Sequence, residues 1–222
     1  MNLSTFFTLF TSPQTYFEEI KEAQKQGIVN ALIPFTILLI VTNMFGISRE
    51  YFSGTFSGNG LGELQQTTLL ESNLTAIILI AILGILVLQI LYTFVNAGFR
   101  HVGVLLLTEK QGYVKTYDAS TRSWMIPFVY QIGLSLLTLP FLIIIQGFIL
   151  EIFIGILSLI VSIASTVHYV YAEAKGLSTY HDISFGRGLG ASLIGFGIDI
   201  LLFFLIIIGV VLLVLGTVGT IA

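Results

Sequence analysis

The sequence predicts an all-α polytopic membrane protein: a bundle of five transmembrane helices with an N-terminal amphipathic helix before them. Three observations predict it. The 222 residues are 55% hydrophobic with a mean hydropathy of +0.98, too much apolar side chain for a soluble core and its surface to accommodate. Several apolar stretches exceed the ~20 residues that a helix needs to cross a hydrocarbon core ~30 Å thick, whereas barrel strands would alternate every second residue. Only 9% of residues are charged, and they gather between the apolar runs. The formal charge of -3 excludes a nucleic-acid binder or a strongly basic peripheral protein. Cysteine is absent, which removes disulfides and thiolate metal sites.

Residues 1–27 are expected to stay on the chain as a cytoplasmic amphipathic segment, because no cation precedes Phe6 and Phe7 while Lys21 and Lys25 follow them. Ser12 offers an N-cap, Pro13 the first helical position and Gly27 a stop. Tyr16, Phe17 and Ile20 share one face, suited to the headgroup layer or to the underside of the bundle. A first span over 28–47 is interrupted by Asn30, Pro34, Thr42 and Asn43, with a kink expected at Pro34. Residues 48–73 read as a loop. Its Gly58–Gly62 run follows no strand and is no phosphate loop, and Asn73–Thr75 is a chance glycosylation match beside a membrane helix.

A second span over 74–99 sets Gln89 and Asn96 on one face, which should look into the bundle. The polar interval 100–122 follows, holding four of the nine Lys and Arg residues: Arg100, Lys110, Lys115 and Arg122. A third span over 124–145 carries Trp124 and Tyr130 as interfacial anchors and a second kink at Pro140. Gln146 and Gly147 begin a tight turn, so the fourth span, over 151–172, returns antiparallel to the third. Gly155, Ser158, Ser162 and Ser165 form a small-residue stripe there, which packing against a neighbouring backbone explains adequately. A second polar interval, 173–188, contains Lys175 and Arg187. The last span, 189–221, would be ~50 Å long as one helix and must tilt, protrude or break at its glycines. With a cytoplasmic N-terminus this plan puts eight of the nine cations inside and Arg49 alone outside.

Five short features recur in order along the chain: Ser12-Pro13 with Tyr16, Phe17 and Ile20; His101 after the second span; the segment Gly112 to Thr116; Pro127 early in the third span; and Tyr171 to Ser178. In order and spacing this resembles the Yip1 domain family of small polytopic membrane proteins. The resemblance implies a helical bundle with a cytoplasmic N-terminus, no known catalytic chemistry, and partner-dependent roles in membrane organisation. Eukaryotic relatives act in vesicle trafficking and associate with small GTPases and with one another. The acidic-aromatic segment DLYGPFW typical of those relatives does not occur here, and paired glycines of the second loop are reduced to Gly112. A prokaryotic cell-membrane member, C-terminus outside, is therefore expected.

The expected function is non-enzymatic: a scaffold or adaptor meeting lipids, a protein partner or related membrane proteins through its cytoplasmic loops, with no cofactor. The candidate contact residues are Arg100, His101, Lys110, Gly112, Lys115, Arg122 and Lys175. The intramembrane polar candidates are Gln89, Asn96, His168 and Asp199, which with Gln131 and Gln146 motivate an alternative, a small transporter or channel subunit. Ala191, Gly195 and Asp199 recur every four residues, so small side chains clear one face and a carboxylate ends it. Asp199 reads either as buried, with Arg100 or His168 as its complement, or as interfacial. Tyr117-Asp118 beside Gly195 to Asp199 superficially resembles the paired motifs of intramembrane aspartyl proteases, but the second is one residue too long and Asp118 is expected in a loop. The histidines lack metal-ligand spacing.

Overall fold

The computed structural model describes residues 3–52, 68–108, 112–144 and 148–219, and among these every regular element is helical. In chain order they are α1 (Leu3–Thr11), α2 (Pro13–Glu22), α3 (Ile28–Phe52), α4 (Thr68–Leu107), α5 (Tyr113–Ser123), α6 (Met125–Ile144), α7 (Phe148–His181) and α8 (Phe185–Gly219). Five stretches are long and apolar enough to cross a membrane: Ile28–Gly46, Leu83–Leu107, Tyr113–Phe141, Ile152–His181 and Phe185–Leu213. Large apolar side chains cover the outside of α4, α7 and α8, among them Leu83, Leu88, Leu159, Ile163, Leu201 and Phe203. Such a surface is solvated by lipid tails. The Gly58–Gly62 run, Lys110, Gln146 and Gly147 lie outside the described residues.

The N-terminal segment packs onto the bundle. On α2, Pro13, Tyr16, Phe17 and Ile20 are buried, the face expected from spacing, and that face meets α7. The tip of the Phe17 ring lies against Gly176, where an added Cβ would come within 2.8 Å of it, and the ring meets Tyr180 edge-on at 5.3 Å between centroids. Two expected caps differ. The Ser12 hydroxyl pairs with the Thr15 hydroxyl at 2.7 Å and makes no side-chain bond to the backbone N–H groups of α2. Nor does Gly27 stop the helix: α2 closes at Gln24, which takes φ 52°, while the Lys25 N–H returns to the Ile20 carbonyl at 3.1 Å. Gly27 instead precedes α3 and donates its N–H to Asp118 at 2.8 Å.

Both polar intervals prove helical, contrary to the expected loops. Helix α4 runs without a break through Arg100 to Leu107, and after Gly112 the chain re-enters helix as α5, in which every residue from Thr116 to Ser123 is buried. The physical reason is that most of these polar side chains, Thr116, Tyr117, Asp118, Ser120 and Arg122 among them, are paired across helices, which offsets the desolvation that would otherwise hold them in water. Helix α7 likewise continues to His181. Only a turn at 182–184, with Asp182 at φ 52°, separates it from α8. His101 and His181 both hydrogen-bond the Thr116 hydroxyl, at 3.0 and 2.9 Å, so both intervals lie at the same end of the bundle.

Helix α8 is continuous through its glycines over 35 residues, about 50 Å at 1.5 Å per residue, which removes the expected break among the described residues. Its first half packs against α4 at very short range. A Cβ on Gly103 would overlap the Ala191 backbone, and one on Gly195 would overlap Arg100. The small face of Ala191 and Gly195 thus lets α4 lie against α8 and Arg100 cross it. The α3 and α6 helices run through Pro34 and Pro140, and α6 packs on α7.

Candidate functional site

Two buried arginine clusters organise the polar end. In the first, Arg122 Nε donates to Asp118 Oδ1 at 2.6 Å and Nη1 donates to the Tyr16 hydroxyl at 3.0 Å, with Arg122 2% and Asp118 0% exposed. Asp118 also accepts from the Tyr180 hydroxyl at 3.0 Å and from the Gly27 N–H. One helical turn of α5 therefore ties α2, the start of α3 and α7 together. Burial pushes the Tyr16 phenol above its usual pKa, while the positive Arg122 beside it pulls the other way.

The second cluster is built across α4, α5, α7 and α8. Arg100 is 1% exposed, and its Nε donates to Glu173 at 3.3 Å. Its Nη2 donates to the Tyr169 hydroxyl at 3.1 Å, and its Nη1 pairs with Asp199 Oδ2. Glu173, 0% exposed, takes further hydrogen bonds from the hydroxyls of Ser120, Tyr169 and Ser192. Asp199, 13% exposed, takes others from Tyr92 at 3.0 Å and Asn96 at 3.2 Å. Of the two complements expected for Asp199, Arg100 is the one in place. His168 instead meets the Tyr130 hydroxyl at 3.2 Å.

Above this cluster a cavity of ≈ 570 Å³ opens between α4, α6, α7 and α8. Arg100 and Asp199 form its charged wall, Trp124, Tyr92, Tyr130 and Phe196 its aromatic one, and Ser158, Ser162 and Ser165 line it from α7. This corrects the expected role of the serine stripe. Its small side chains leave space facing the aromatic rings of Tyr92 and Tyr130. Ser158 Oγ is buried there without a hydrogen-bond partner.

The remaining sequence candidates divide. Arg100 and Arg122, expected among loop cations, are buried members of ion pairs. His101 is half-buried on Thr116, and Gly112 takes φ 134° against Lys115 and His181. Lys175 Nζ reaches Gln14 at 3.0 Å and lies over the Phe185 ring at 4.8 Å. Asn96 joins the Arg100 cluster, donating to Asp199 and accepting from Ser120, while Gln89 accepts from Asn43 at 3.4 Å. Asp118 is helical, not in a loop, and shares no hydrogen-bond partner with Asp199, so the two are not a proton-sharing pair. Among the described residues no group of three His, Cys, Asp or Glu side chains could hold a metal ion.

Sequence reasoning missed Glu173, Tyr169, Ser120 and Ser192. The one available signal was the spacing of Tyr169 and Glu173, four apart on one helix face at the end of an apolar run. Comparison of the chain with protein-family models, with characterised proteins and with solved structures finds no match.

Proposed function

We propose that this integral membrane protein is a non-enzymatic scaffold or adaptor of the Yip1 kind, in a prokaryotic cell membrane with its N-terminus cytoplasmic. The observation that carries the reading is the rigid polar end, where the Arg122 cluster fixes α2 against α7 and so preforms a surface. On that surface a groove of ≈ 840 Å³ runs between α2 and α7, bordered by Gln14, Glu18, Lys21, Lys175, Asp182 and Phe185. Both charge signs border it, with Lys21 paired to Asp182 at 2.5 Å. Mixed charge suits a protein partner better than an anionic headgroup layer, which favours uniformly basic patches. The docking residues are thus Lys175 and its neighbours in the groove, rather than Arg100 and Arg122.

Photo-crosslinking in native membranes tests this. A probe at Glu18 should give a discrete product that a probe at lipid-facing Phe203 does not, and Lys21→Glu should abolish it. Identical products from both positions would refute the docking role. A second reading, a small transporter or channel subunit, is favoured by the cavity beside Arg100, which gathers Asn96, Gln131 and Asp199 from separate helices.

A further inference from the structure

We infer that the cavity beside Arg100 is a binding site for a small organic ammonium ion. The inference uses the cavity that favours the second reading but requires no transport, and it is independent of the docking groove.

Charge is the first reason. The cluster sets one guanidinium, Arg100, against two carboxylates, Glu173 and Asp199. Glu173 stands behind the wall with four donors around it, and Arg100 pairs with both carboxylates, so the cluster as a whole keeps one net negative charge. Of the two carboxylates only Asp199 lines the cavity. Arg100 is the only cation among the described lining residues, and His168 stands outside the lining, against Tyr130. In a low-dielectric interior a net negative wall attracts a cation and rejects an anion.

The second reason is the nature of the facing wall. Trp124 and Tyr92 lie 5.3 Å apart between ring centroids, with Tyr130 and Phe196 also on the lining. Aromatic rings around a carboxylate are what an alkylammonium prefers, since cation–π attraction operates within ~6 Å of a ring and suits a weakly hydrated organic cation better than a metal ion. Nor do three His, Cys, Asp or Glu side chains gather around a metal position among the described residues.

Shape supplies the third reason. From Tyr169 to Ser158 the cavity follows α7 for about 16 Å at 1.5 Å per residue, and its volume is that of a small-molecule site. The buried Ser158 hydroxyl, without a partner, stands at the far end. A ligand with an ammonium head at Asp199 and a hydrogen-bonding group at the other end of an extended chain would satisfy both ends, and a small ammonium alone would fill the head position. An ammonium of this kind could come from a free amine or from a lipid headgroup.

Trp124 is the only tryptophan in the chain and lies on the cavity wall, so its fluorescence reports occupancy directly. The protein is placed in phosphatidylglycerol nanodiscs and titrated with choline, with its neutral carbon isostere 3,3-dimethylbutan-1-ol, and with propionate. A saturable change with choline, at least tenfold weaker with the isostere and absent with propionate, is expected. In a second arm, nanodiscs containing phosphatidylethanolamine are compared. If they shift Trp124 emission and block choline, the ammonium is a lipid headgroup; if choline still binds, it is a free amine. Asp199→Asn should weaken choline at least tenfold. Because that variant could perturb folding, Ser162→Phe, which fills the cavity from α7, provides a second check and should abolish binding with unfolding unchanged. No saturable change with any amine in either nanodisc, equal affinity for the neutral isostere, or preference for propionate would overturn the inference.

Discussion

The Arg122 and Asp118 pair gives the sharpest quantitative test of the polar end. Both side chains are essentially removed from solvent, so neutralising one leaves the other charge uncompensated. Breaking a buried pair this way costs about 3–5 kcal/mol. Asp118→Asn keeps an acceptor for Tyr180 or Gly27, and Arg122→Gln keeps a donor toward Tyr16, so each single change belongs near the lower end, about 3 kcal/mol. The double variant is neutral and retains most of these hydrogen bonds. It should therefore lose about 2 kcal/mol less than the sum of the singles, a coupling within the range for contacting residues. Reversible unfolding in mixed detergent micelles, followed by circular dichroism, measures all four corners of the cycle. Trp124 follows directly on α5, and its emission should report the same transition. Losses that add to within about 0.5 kcal/mol would show the two charges to be separately solvated, and the account of α5 as the tie between α2 and α7 would fail.

Other predictions follow from close approaches and from topology. Gly195→Leu should displace Arg100 and separate α4 from α8, costing about 3 kcal/mol or more, whereas Gly197→Ala, with no atom near its Cβ, should be neutral or stabilise by up to ~1 kcal/mol; unfolding in micelles distinguishes them. Gly176→Val should lift Phe17 and release α2, seen as faster tryptic cleavage at Lys21 and Lys25 with the membrane helices intact; unchanged cleavage would place the hold on α2 elsewhere. Single cysteines at His101 and Lys175 should label from the same side of the membrane, and that side should be the cytoplasm. Labelling from opposite sides would be incompatible with the shared Thr116 contact and the course of α7.

The apolar helices were legible in the sequence because burial in lipid is a property of a segment by itself: the span read over 74–99 overlaps the stretch Leu83–Leu107, which differs by continuing past Arg100 into what was read as a polar interval. The four-residue recurrence of Ala191, Gly195 and Asp199 was legible for a similar reason, since helix geometry alone puts them on one face. Arg100 was legible only in part. Its pairing with Asp199 was one of two complements expected, but whether an arginine at the end of an apolar run lies in water or in the core also depends on Glu173, 73 positions away along the chain. Local composition carries no trace of that second partner, and so the polar intervals were read as loops. The stripe of Ser158, Ser162 and Ser165 shows a different limit. Small residues at helical spacing are equally compatible with a tight interface and with a void, and it is the residues across from them, Tyr130 on α6 and Trp124 just before it, that decide.

The distribution of the Arg100 cluster along the chain sets an order on biogenesis. Arg100 enters the bilayer with the second membrane helix, Glu173 with the fourth, and Asp199 and Ser192 only with the last. Until α7 brings Glu173, the nascent protein carries in Arg100 a charge in its hydrophobic interior that no neighbour has yet neutralised. A chain truncated before α7 would keep this defect permanently, a chemical mark by which membrane quality control could tell an unfinished molecule from a complete one.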